Sequence, residues 1–430
     1  MEIKKYIKKI IIAILVWESK LVLKKYKPKI IAITGSVGKT STKDAIFTVL
    51  SKFENVRKNN NYFNSDLGIP FTIIGLSNSM SGFLDWIENI LIGLKLLIFK
   101  NVYPNYLILE IGVNRPGDIK NIAKWLRPDI VVITRFPEKP VHVEFFKSAD
   151  ELIEEKCCLA YSLKKDGLLI LNHDDKRVYD LHEKVKRKMV SYGENEDATY
   201  RFLYPTYLEE NGKIYGINFK LLYDGNTFPV NLPKVCGKQY IYSAIVAILC
   251  ANELGFDLLS SISHVSDFIN PPGRLNLLKG INNSSILDDT YNSSPVALEL
   301  ALSVLNDLKA KRKIAVIGDM LELGKYTEEE HRKVGNILVN IVDVLITVGP
   351  RSKYIAEEAL KNKFKSKNIF SFDSYVDTSE FLKNLVKEGD LILIKGSQKL
   401  RLEKVVESIL LNKEFKKDIL CRQEKEWIDK

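Results

Sequence analysis

Residues 33–43 read ITGSVGKTSTK, and the interpretation of the whole chain starts from this stretch. A short apolar run, residues 30–33, precedes it, and residues 44–50 follow it with helical spacing. A strand that runs through a glycine-rich turn into a helix can cradle a phosphate, because backbone N–H groups and the positive helix end face the anion. An ordinary glycine turn between a strand and a helix would not require the sequence G-K-T-S. The stretch therefore predicts a phosphate-binding loop.

Each polar residue of this loop has an expected role. Lys39 reaches the terminal phosphates of a nucleotide, and the hydroxyl of Thr40 binds a magnesium ion. The spacing differs from that of the common P-loop, because Gly35 stands three residues before Gly38 and Ile33 occupies the place of the first glycine. The predicted phosphate-binding residues are Gly35, Ser36, Val37, Gly38, Lys39, Thr40 and Ser41.

Length and composition set the class of protein. A chain of 430 residues suggests two or three domains, and 46% apolar content is ordinary for a globular protein. The net charge of +10 suits a polyanionic substrate such as a nucleotide. Nucleic acid is not an expected partner, since no arginine-rich stripe with interleaved aromatic residues is present. The five cysteines lack paired zinc spacing, which favours reduced thiols and a cytoplasmic location.

The first 29 residues form a separate basic segment. Their one apolar run, residues 10–17, is too short to span a bilayer, and no cleavage site of a signal peptide follows it. An amphipathic helix is expected. It either packs on the protein, which is the favoured interpretation, or makes a weak contact with an anionic membrane surface through residues 1–25.

The rest of the chain alternates between apolar runs, which predict strands, and segments with helical spacing. This alternation is typical of an α/β fold whose mostly parallel sheet binds ligands at the carboxyl ends of its strands. The predicted strands are 30–33, 106–111, 129–134, 168–171, 285–288, 313–317, 344–348, 368–372 and 391–394, and the predicted helices include 44–50, 83–99, 118–126, 149–163 and 240–254.

Three parts are expected along the chain: the segment 1–29, a central P-loop domain 30–272 and a second doubly wound, Rossmann-like domain 273–430. The boundary lies at NPPGRLN, residues 270–276, because two prolines and a glycine stop a helix. Within the central domain, residues 199–232 change to a period of two, with turn signals at 211–212 and 224–225, and predict an antiparallel hairpin appendage. Residues 57–76, rich in Asn, predict an irregular loop that rejoins regular structure near Phe71.

Several polar residues at strand ends are candidates for chemistry. Glu110 ends an apolar strand, and a carboxylate there favours a magnesium ligand over a solvated strand end. His142 by itself indicates a surface residue in a polar loop, and Lys156, in EEKCC, indicates a solvated helix face. Two strand-to-helix turns of the second domain, DDTYNSSP at 288–295 and IKGSQK at 394–399, present polar groups where a ligand would lie. The first turn also predicts a helix cap formed by Ser294 and Pro295.

The ordered set of motifs resembles the Mur ligases, the ATP-dependent amino-acid ligases of cell-wall precursor synthesis. The motifs are TGSVGKTSTK, NYFNSDLGIP, LEIGVNRPGDI, HVEFF with SADELIEEK, PPGR, DDTYNSSP, GDMLELG with a later His331, and IKGS, over residues 30 to about 410. GDMLELG and DDTYNSSP are most similar to the branch that adds D-alanyl-D-alanine. In that family a separate N-terminal domain usually grips the uridine nucleotide sugar, and here only about 30 residues precede the loop.

The resemblance implies roles for the weaker candidates. Glu110 and His142 would be magnesium ligands, with two ions expected, and Lys156 matches the lysine that the family carbamylates. Arg274, Asp289 and Asn292 would contact the nucleotide, Lys395 and Ser397 would lie toward the incoming amino component, and Asn64 would face the carboxylate substrate. Gln239 and Ser243 stand where the family usually has the His and Asn that contact adenine.

The implied reaction activates a carboxylate as an acyl phosphate at the expense of ATP and then joins it to an amine. The implied substrates are a UDP-linked muramyl peptide, or a related carboxylate, and D-Ala-D-Ala. Three alternatives stay open at this point: a ligase of the same fold with another acceptor (a pseudomurein peptide, a polyglutamate or another amino acid), a non-catalytic nucleotide-binding protein, and a general P-loop hydrolase.

Overall fold

The structure, a computed structural model, describes residues 2–60, 63–76, 83–136, 143–210, 213–424 and 427. Two sheets divide the chain. The first has nine strands in the order β2-β3-β1-β4-β5-β6-β7-β8-β9. These are β1 (Lys29–Thr34), β2 (Val56–Lys58), β3 (Tyr106–Glu110), β4 (Ile130–Ile133), β5 (Leu168–Asn172), β6 (Lys188–Gly193), β7 (Tyr200–Glu210), β8 (Lys213–Tyr223) and β9 (Asn226–Leu232).

Ten helices accompany this sheet in the described residues. They are α1 (Glu2–Tyr26), α2 (Lys39–Leu50), α3 (Gly68–Ile74), α4 (Phe83–Ile98), α5 (Asp118–Ala123), α6 (Ala149–Tyr161), α7 (Lys176–Tyr179), α8 (Leu181–Lys184), α9 (Tyr240–Glu253) and α10 (Leu258–Val265).

Strand β1 lies at the centre of the ligand-binding edge, because it pairs in parallel with β3 on one side and with β4 on the other. All five residues of β3 and all four of β4 are buried, as expected for strands covered on both faces. The chain goes from β1 to β2 and β3 on one side and then crosses to β4. The carboxyl ends of β1, β3 and β4 therefore meet at a point where the strand order reverses, which is where open α/β sheets bind ligands.

The antiparallel segment is part of the first sheet. Strand β6 pairs in parallel with β7, and β7, β8 and β9 follow as antiparallel neighbours. The turn between β8 and β9 has positive φ at both Asp224 (50°) and Gly225 (72°), as the sequence signal predicts for a tight hairpin. The other predicted turn, residues 211–212, lies outside the described residues.

The second sheet has six strands in the order β10-β11-β15-β12-β13-β14 and is parallel except for the edge pair β10 and β11. The α/β class with two such sheets agrees with the prediction, while the exact domain boundaries stay predictions. The strands are β10 (Asn276–Lys279), β11 (Ser285–Asp289), β12 (Arg312–Gly318), β13 (Val344–Val348), β14 (Ile369–Phe372) and β15 (Asp390–Lys395). The helices are α11 (Pro295–Asp307), α12 (Thr327–Leu338), α13 (Lys353–Lys361), α14 (Tyr375–Leu385), α15 (Glu403–Ile409) and α16 (Lys416–Ile419).

One prediction is wrong for residues 57–76. Arg57 and Lys58 belong to β2, and α3 begins at Gly68, ahead of the predicted return to structure. Proline is tolerated in the first turn of a helix, where its missing N–H would have no intrahelical partner, so Pro70 does not prevent this helix. None of the helices in the described part of the chain is both long enough and apolar enough to cross a membrane.

Candidate active site

The predicted phosphate-binding loop lies between β1 and α2, at the meeting point of the central strands. Gly35 has φ of 141°, and a side chain at this position would collide with the hydroxyl of Thr134. That hydroxyl donates to the carbonyl of Val37 at 2.7 Å, and the N–H of Ser36 donates to the carbonyl of Arg135 at 2.8 Å. The loop is therefore fixed to the end of β4 by its own backbone.

Helix α2 begins directly after this loop. Gly38 is its N-cap in the left-handed conformation, with φ of 85°, and Lys39 is its first residue. Thr40 and Ser41 are buried in the first turn. Burial lowers the pKa of Lys39, while Glu110 raises it and Arg274 lowers it. The loop thus brings a cation and a helix N-terminus to the same place.

Glu110 faces the loop because β3 pairs with β1 in a register that places Glu110 beside Ile33. Its Oε1 accepts a hydrogen bond from the Thr40 hydroxyl at 3.2 Å. Its side chain is buried, so the interpretation of a solvated strand end is wrong. The side chain of Asn59 fixes the backbone of Glu110. Its Oδ1 accepts from the N–H of Glu110 at 2.8 Å, and its Nδ2 donates to the carbonyl of Glu110 at 2.9 Å.

The charges around Glu110 keep it ionised. Burial alone would raise its pKa, but the cations Lys43, Lys39 and Arg274 outweigh burial and lower the pKa below its usual range. The nearest of them is Lys43, whose Nζ lies 3.5 Å from Oε2 of Glu110. Oε2 accepts no hydrogen bond from any described residue, so this buried oxygen can bind a ligand.

Lys156 lies on α6 and its amine reaches the loop, donating from Nζ to Oγ of Ser36 at 2.7 Å. It is only 4% exposed, so the prediction of a solvated helix face is wrong. Burial, reinforced by the nearby Lys39, lowers the pKa of Lys156 well below its ordinary value. A buried amine with a lowered pKa is neutral more often and hence more nucleophilic.

The second domain contributes Arg274 directly to this site. Its Nη2 donates to the hydroxyl of Thr40 at 3.4 Å, and its guanidinium lies 4.1 Å from the centroid of the Tyr291 ring. Its carbonyl accepts from the hydroxyl of Tyr240 at 2.7 Å. The domains also meet at Gly324, where an added Cβ would approach the Cβ of Glu144 to 3.2 Å.

The two turns of the second domain meet through a buried ion pair. Nζ of Lys395 lies 2.7 Å from Oδ2 of Asp289 and donates to the carbonyl of Asn292 at 2.8 Å. Burial lowers the pKa of Lys395, while Asp289 raises it. The predicted helix cap is also present, because the N–H of Ala297 donates to Oγ of Ser294 at 3.3 Å. The turn therefore combines capping with a charged cluster.

Ser397 and Asn64 lie in different domains, Ser397 just after β15 and Asn64 between β2 and α3. Oγ of Ser397 accepts from the N–H of Leu321 at 2.9 Å, so the IKGS turn is joined to GDMLELG. His331 supports the same turn, since its Nε2 accepts from the N–H of Met320 at 3.0 Å. The carbonyl of Asn64 accepts from the N–H of Gly112 at 2.8 Å, two residues beyond the magnesium candidate.

Some predicted residues are not placed at this site. His142 lies outside the described residues. Ser243 is buried, and its Oγ is 3.1 Å from Oγ1 of Thr42 on α2, so it serves helix packing.

Sequence reasoning missed Lys43, although a residue four positions after Lys39 in a helix lies on the same face. It also missed Asn59, which has no signal of its own in an Asn-rich segment.

A cleft of about 1830 Å³ opens beside the site, between the two domains. Lys58, Asn59 and Phe63 line it on the central-domain side, and residues 269–272 and 275–277 of the linker line it on the other. Lys39, Thr40 and Lys156 do not line it, so the cleft is separate from the phosphate position. Its volume exceeds the range of about 300–1000 Å³ that is usual for small-molecule pockets.

The fold and the site define a class of protein, an ATP-dependent ligase built on a P-loop domain and a second α/β domain. Residues 33–251 match the Mur ligase middle domain, and residues 273–398 match the Mur ligase, glutamate ligase domain. The first match covers more than half of the chain, and the chain belongs to the Mur ligase family.

Curated relatives and solved structures agree with this assignment. The chain is 28% identical over 394 residues to the UDP-N-acetylmuramoyl-tripeptide–D-alanyl-D-alanine ligase of Bacillus subtilis, covering 91% of this chain and 78% of that protein. The protein with the same description from Rickettsia prowazekii is 29% identical, with 89% and 78% covered. The structure of the MurF ligase from Thermotoga maritima in complex with ADP matches with a TM-score of 0.74 at 24% identity, covering 92% of this chain and 83% of that one. A pseudomurein peptide ligase type C from Methanothermus fervidus has the same fold, with a TM-score of 0.59 at 20% identity, covering 89% and 79%.

Proposed function

We propose that this chain is an ATP-dependent ligase that joins the carboxylate of a UDP-N-acetylmuramoyl tripeptide to the amine of D-Ala-D-Ala, releasing ADP and phosphate. The observation that carries the proposal is the buried Lys156 amine, whose hydrogen bond ends on Ser36 of the phosphate-binding loop. A P-loop needs one lysine for the nucleotide phosphates, so a second buried lysine beside the loop indicates a further chemical role. The curated relatives described above, which carry the name of this activity, add independent support.

Magnesium fits the oxygen atoms of the site. Thr40 offers a hydroxyl and Glu110 a carboxylate with one buried oxygen that accepts no hydrogen bond from a described residue, and hard cations bound to phosphates prefer such ligands. His142 is the proposed third ligand. Among the described residues no three His, Cys, Asp or Glu side chains are placed so that they could hold a metal ion together, so ATP phosphates and water would complete the coordination. Bound there, one or two magnesium ions would neutralise phosphate charge.

Lys156 is proposed to carry a carbamate. Its neutral amine adds to carbon dioxide, forming an N–C bond and releasing one proton, and the product is an anion. A carbamate would turn this buried lysine into an anionic ligand for a second cation. The hydrogen bond to Ser36 orients the nitrogen for this addition.

Both domains contribute residues to the proposed reaction. Lys39 stabilises the charge on the terminal phosphate while an oxygen of the substrate carboxylate attacks phosphorus, forming an acyl phosphate as ADP leaves. The amine then attacks the acyl carbon, and phosphate leaves through a tetrahedral intermediate. Asn64 is proposed to face the carboxylate substrate, Arg274, Asp289 and Asn292 the nucleotide, and Lys395 and Ser397 the amine component.

Contact between the domains protects the intermediate from water. The hydrogen bond from Arg274 to Thr40 brings the linker onto the first turn of α2, directly over the loop. An acyl phosphate formed beneath it would be shielded from hydrolysis until the amine arrives. The interdomain cleft gives a long carboxylate substrate room beside the site.

The test is a substrate panel with mass detection of the product. Purified chain with ATP and magnesium receives UDP-N-acetylmuramoyl tripeptides, alone and together with D-Ala-D-Ala or single amino acids. Phosphate release that requires both substrates, with a ligated product of the expected mass, is the expected result. Ligation only with another acceptor would replace this substrate assignment by another ligase of the same fold. ATP hydrolysis that neither substrate stimulates would contradict the ligase proposal itself.

A further inference from the structure

Helices α1 and α4 pack side by side and run in the same direction. The carboxylate of Glu18 lies against Gly93, where any side chain on the glycine would collide with it. About two turns farther along α1, the hydroxyl of Tyr26 donates to the carbonyl of Leu96 at 2.9 Å. The absence of a side chain at residue 93 allows this close approach.

Both helices rest on α3. Leu15 of α1 belongs to a buried apolar cluster with Phe71 of α3, and Trp86 and Ile90 of α4 pack against that cluster. The ring centroids of Phe71 and Trp86 are 6.3 Å apart. The inner faces of both helices are therefore turned toward α3, and their opposite faces form the outer surface of the protein.

The outer face of α1 is apolar in its first part and basic in its second. Ile10, Ala13, Trp17, Lys20 and Lys24 are all exposed, and their spacing of three and four residues places them along one stripe. Trp17 is 53% exposed. Tryptophan is enriched where proteins meet the interface between lipid and water, because its ring is apolar and its N–H is polar.

The outer face of α4 continues the apolar surface. Ile87, Leu91 and Ile98 lie on it and are 40%, 58% and 72% exposed, and Phe99 and Val102 follow the helix with 58% and 91%. Single exposed apolar residues are ordinary, but a run of them along one face marks an interaction site. Nothing in the described part of the chain covers this face.

The charge around this surface is strongly positive. Over residues 10–29 and 85–102, the acidic residues are Asp85, Glu88 and the buried Glu18. Seven exposed lysines oppose them: Lys20, Lys24, Lys25, Lys27, Lys29, Lys95 and Lys100. Upstream, the sequence of residues 2–9 holds four further lysines.

We propose that α1 and α4 form a docking surface for an anionic membrane, on which the protein lies peripherally. An apolar stripe bordered by lysines is the pattern of an interfacial helix, and anionic lipid head groups attract such lysines within a Debye length. A second copy of the chain is a poorer occupant. A twofold contact would bring the same lysines face to face, and like charges oppose association.

The experiment measures binding of the full chain to sedimenting vesicles. Vesicles of phosphatidylglycerol and phosphatidylcholine should bind the protein, and vesicles of phosphatidylcholine alone should bind at least about tenfold less. The double variant Trp17→Ser with Leu91→Ser should bind the anionic vesicles more weakly than the unaltered chain, because it removes apolar contact with the lipid. Lys20→Glu with Lys24→Glu should reduce binding by about tenfold or more. Binding should weaken as salt rises from about 0.1 M to about 1 M.

Matched controls separate this surface from general effects. Leu259→Ser with Val376→Ser alters residues that are 62% and 58% exposed on other elements. Lys365→Glu with Lys367→Glu makes the same charge change at two exposed lysines of the short 3-10 turn before β14. Both control pairs should bind vesicles as the unaltered chain does.

Three outcomes would overturn the proposal. They are equal binding to neutral and anionic vesicles, unchanged binding in both the serine and the glutamate double variants, or a dimer in solution that these variants dissociate without any vesicle binding. The variants touch no residue of the proposed catalytic site, so ligase activity without vesicles should be unchanged. Failure of the membrane proposal would thus leave the proposed function intact, and the reverse also holds.

Discussion

The amine of Lys156 donates a hydrogen bond to the hydroxyl of Ser36 across 2.7 Å, although 120 positions separate the two residues in the chain. Helix α6 therefore contributes directly to the phosphate-binding loop. The pairing buries a lysine beside Lys39, and both burial and that second cation favour the neutral amine. Such an environment is costly for an ammonium ion and suited to a carbamate.

Lys156→Ala should abolish the carbamate and lower kcat by about 100-fold or more, the range found when one charge-stabilising group is removed from an active site. Short carboxylic acids such as acetate should partly restore activity, because they supply the missing anion in the space that the side chain leaves. Activity with and without acetate measures both effects. Carbon-13-labelled bicarbonate should give a carbamate signal in the unaltered chain and none in the variant.

Lys165→Ala is the matched control, because Lys165 is an exposed lysine just beyond the same helix. It should retain full activity and show no response to acetate. Full activity of Lys156→Ala would remove the carbamate from the mechanism and leave Lys156 as a structural residue.

Lys43→Met should destabilise the chain, and magnesium with ATP should reverse part of the loss. The substitution leaves Glu110 buried without its nearest cation, and breaking a buried ion pair costs about 3–5 kcal/mol. A bound magnesium ion would restore a positive charge beside the carboxylate. Thermal unfolding with and without magnesium and ATP measures this, and a gain no larger than in the unaltered chain would contradict it.

Local sequence patterns predicted most of the scaffold. Residues 344–348 form β13 as predicted, and 285–288 and 313–317 fall inside strands only slightly longer. Strand β2 was missed because three residues, VRK, are too few to show a period. Helix α3 was hidden by Gly68 and Pro70, whose usual meaning is a turn.

The site was less predictable, because side chains far apart in sequence build it. Glu110 could be inferred since its signal is local, a carboxylate at the end of an apolar strand. The burial of Lys156 could not, because EEKCC looks like a solvated helix face until α6 is packed against the loop. Arg422 gave no signal at all, since only the tertiary structure brings the C-terminal segment beside the DDTYNSSP turn.

Arg422 is buried against that turn and should hold Tyr291 in place. Its guanidinium donates to the carbonyls of Thr290 and Tyr291 and forms a 2.9 Å ion pair with the buried Glu403. Arg422→Met should raise the KM for ATP more than it lowers kcat, because Tyr291 stacks on the proposed nucleotide-binding Arg274. Steady-state kinetics separate the two parameters.

A double variant tests whether stability explains that change. Arg422→Met alone removes the buried partner of Glu403 and leaves Arg401, 2.6 Å from its Oε1, as the remaining cation, so the loss of unfolding free energy should stay below the roughly 3–5 kcal/mol of a fully broken buried pair. Adding Glu403→Gln removes the charge and should recover much of the stability while the KM stays high. If the unfolding free energy and the KM for ATP both return toward their unaltered values, Arg422 acts only through folding.

Glu18→Gln should stabilise the chain more at about pH 8 than at about pH 5. Glu18 is fully buried beside Gly93, its carboxylate oxygens have no hydrogen-bond partner among the described residues, and burial raises its pKa from 4.5 to about 7. A raised carboxyl pKa means that the folded state holds the proton more tightly than the unfolded state. The contribution of Glu18 to the free energy of unfolding is therefore greatest below pH 4.5 and is lost as pH rises through about 7.

Glutamine cannot ionise, so Glu18→Gln should flatten this part of the stability profile. Thermal midpoints of the unaltered chain, Glu18→Gln and the exposed control Glu88→Gln across this range provide the measurement, and parallel profiles for all three would contradict the assignment.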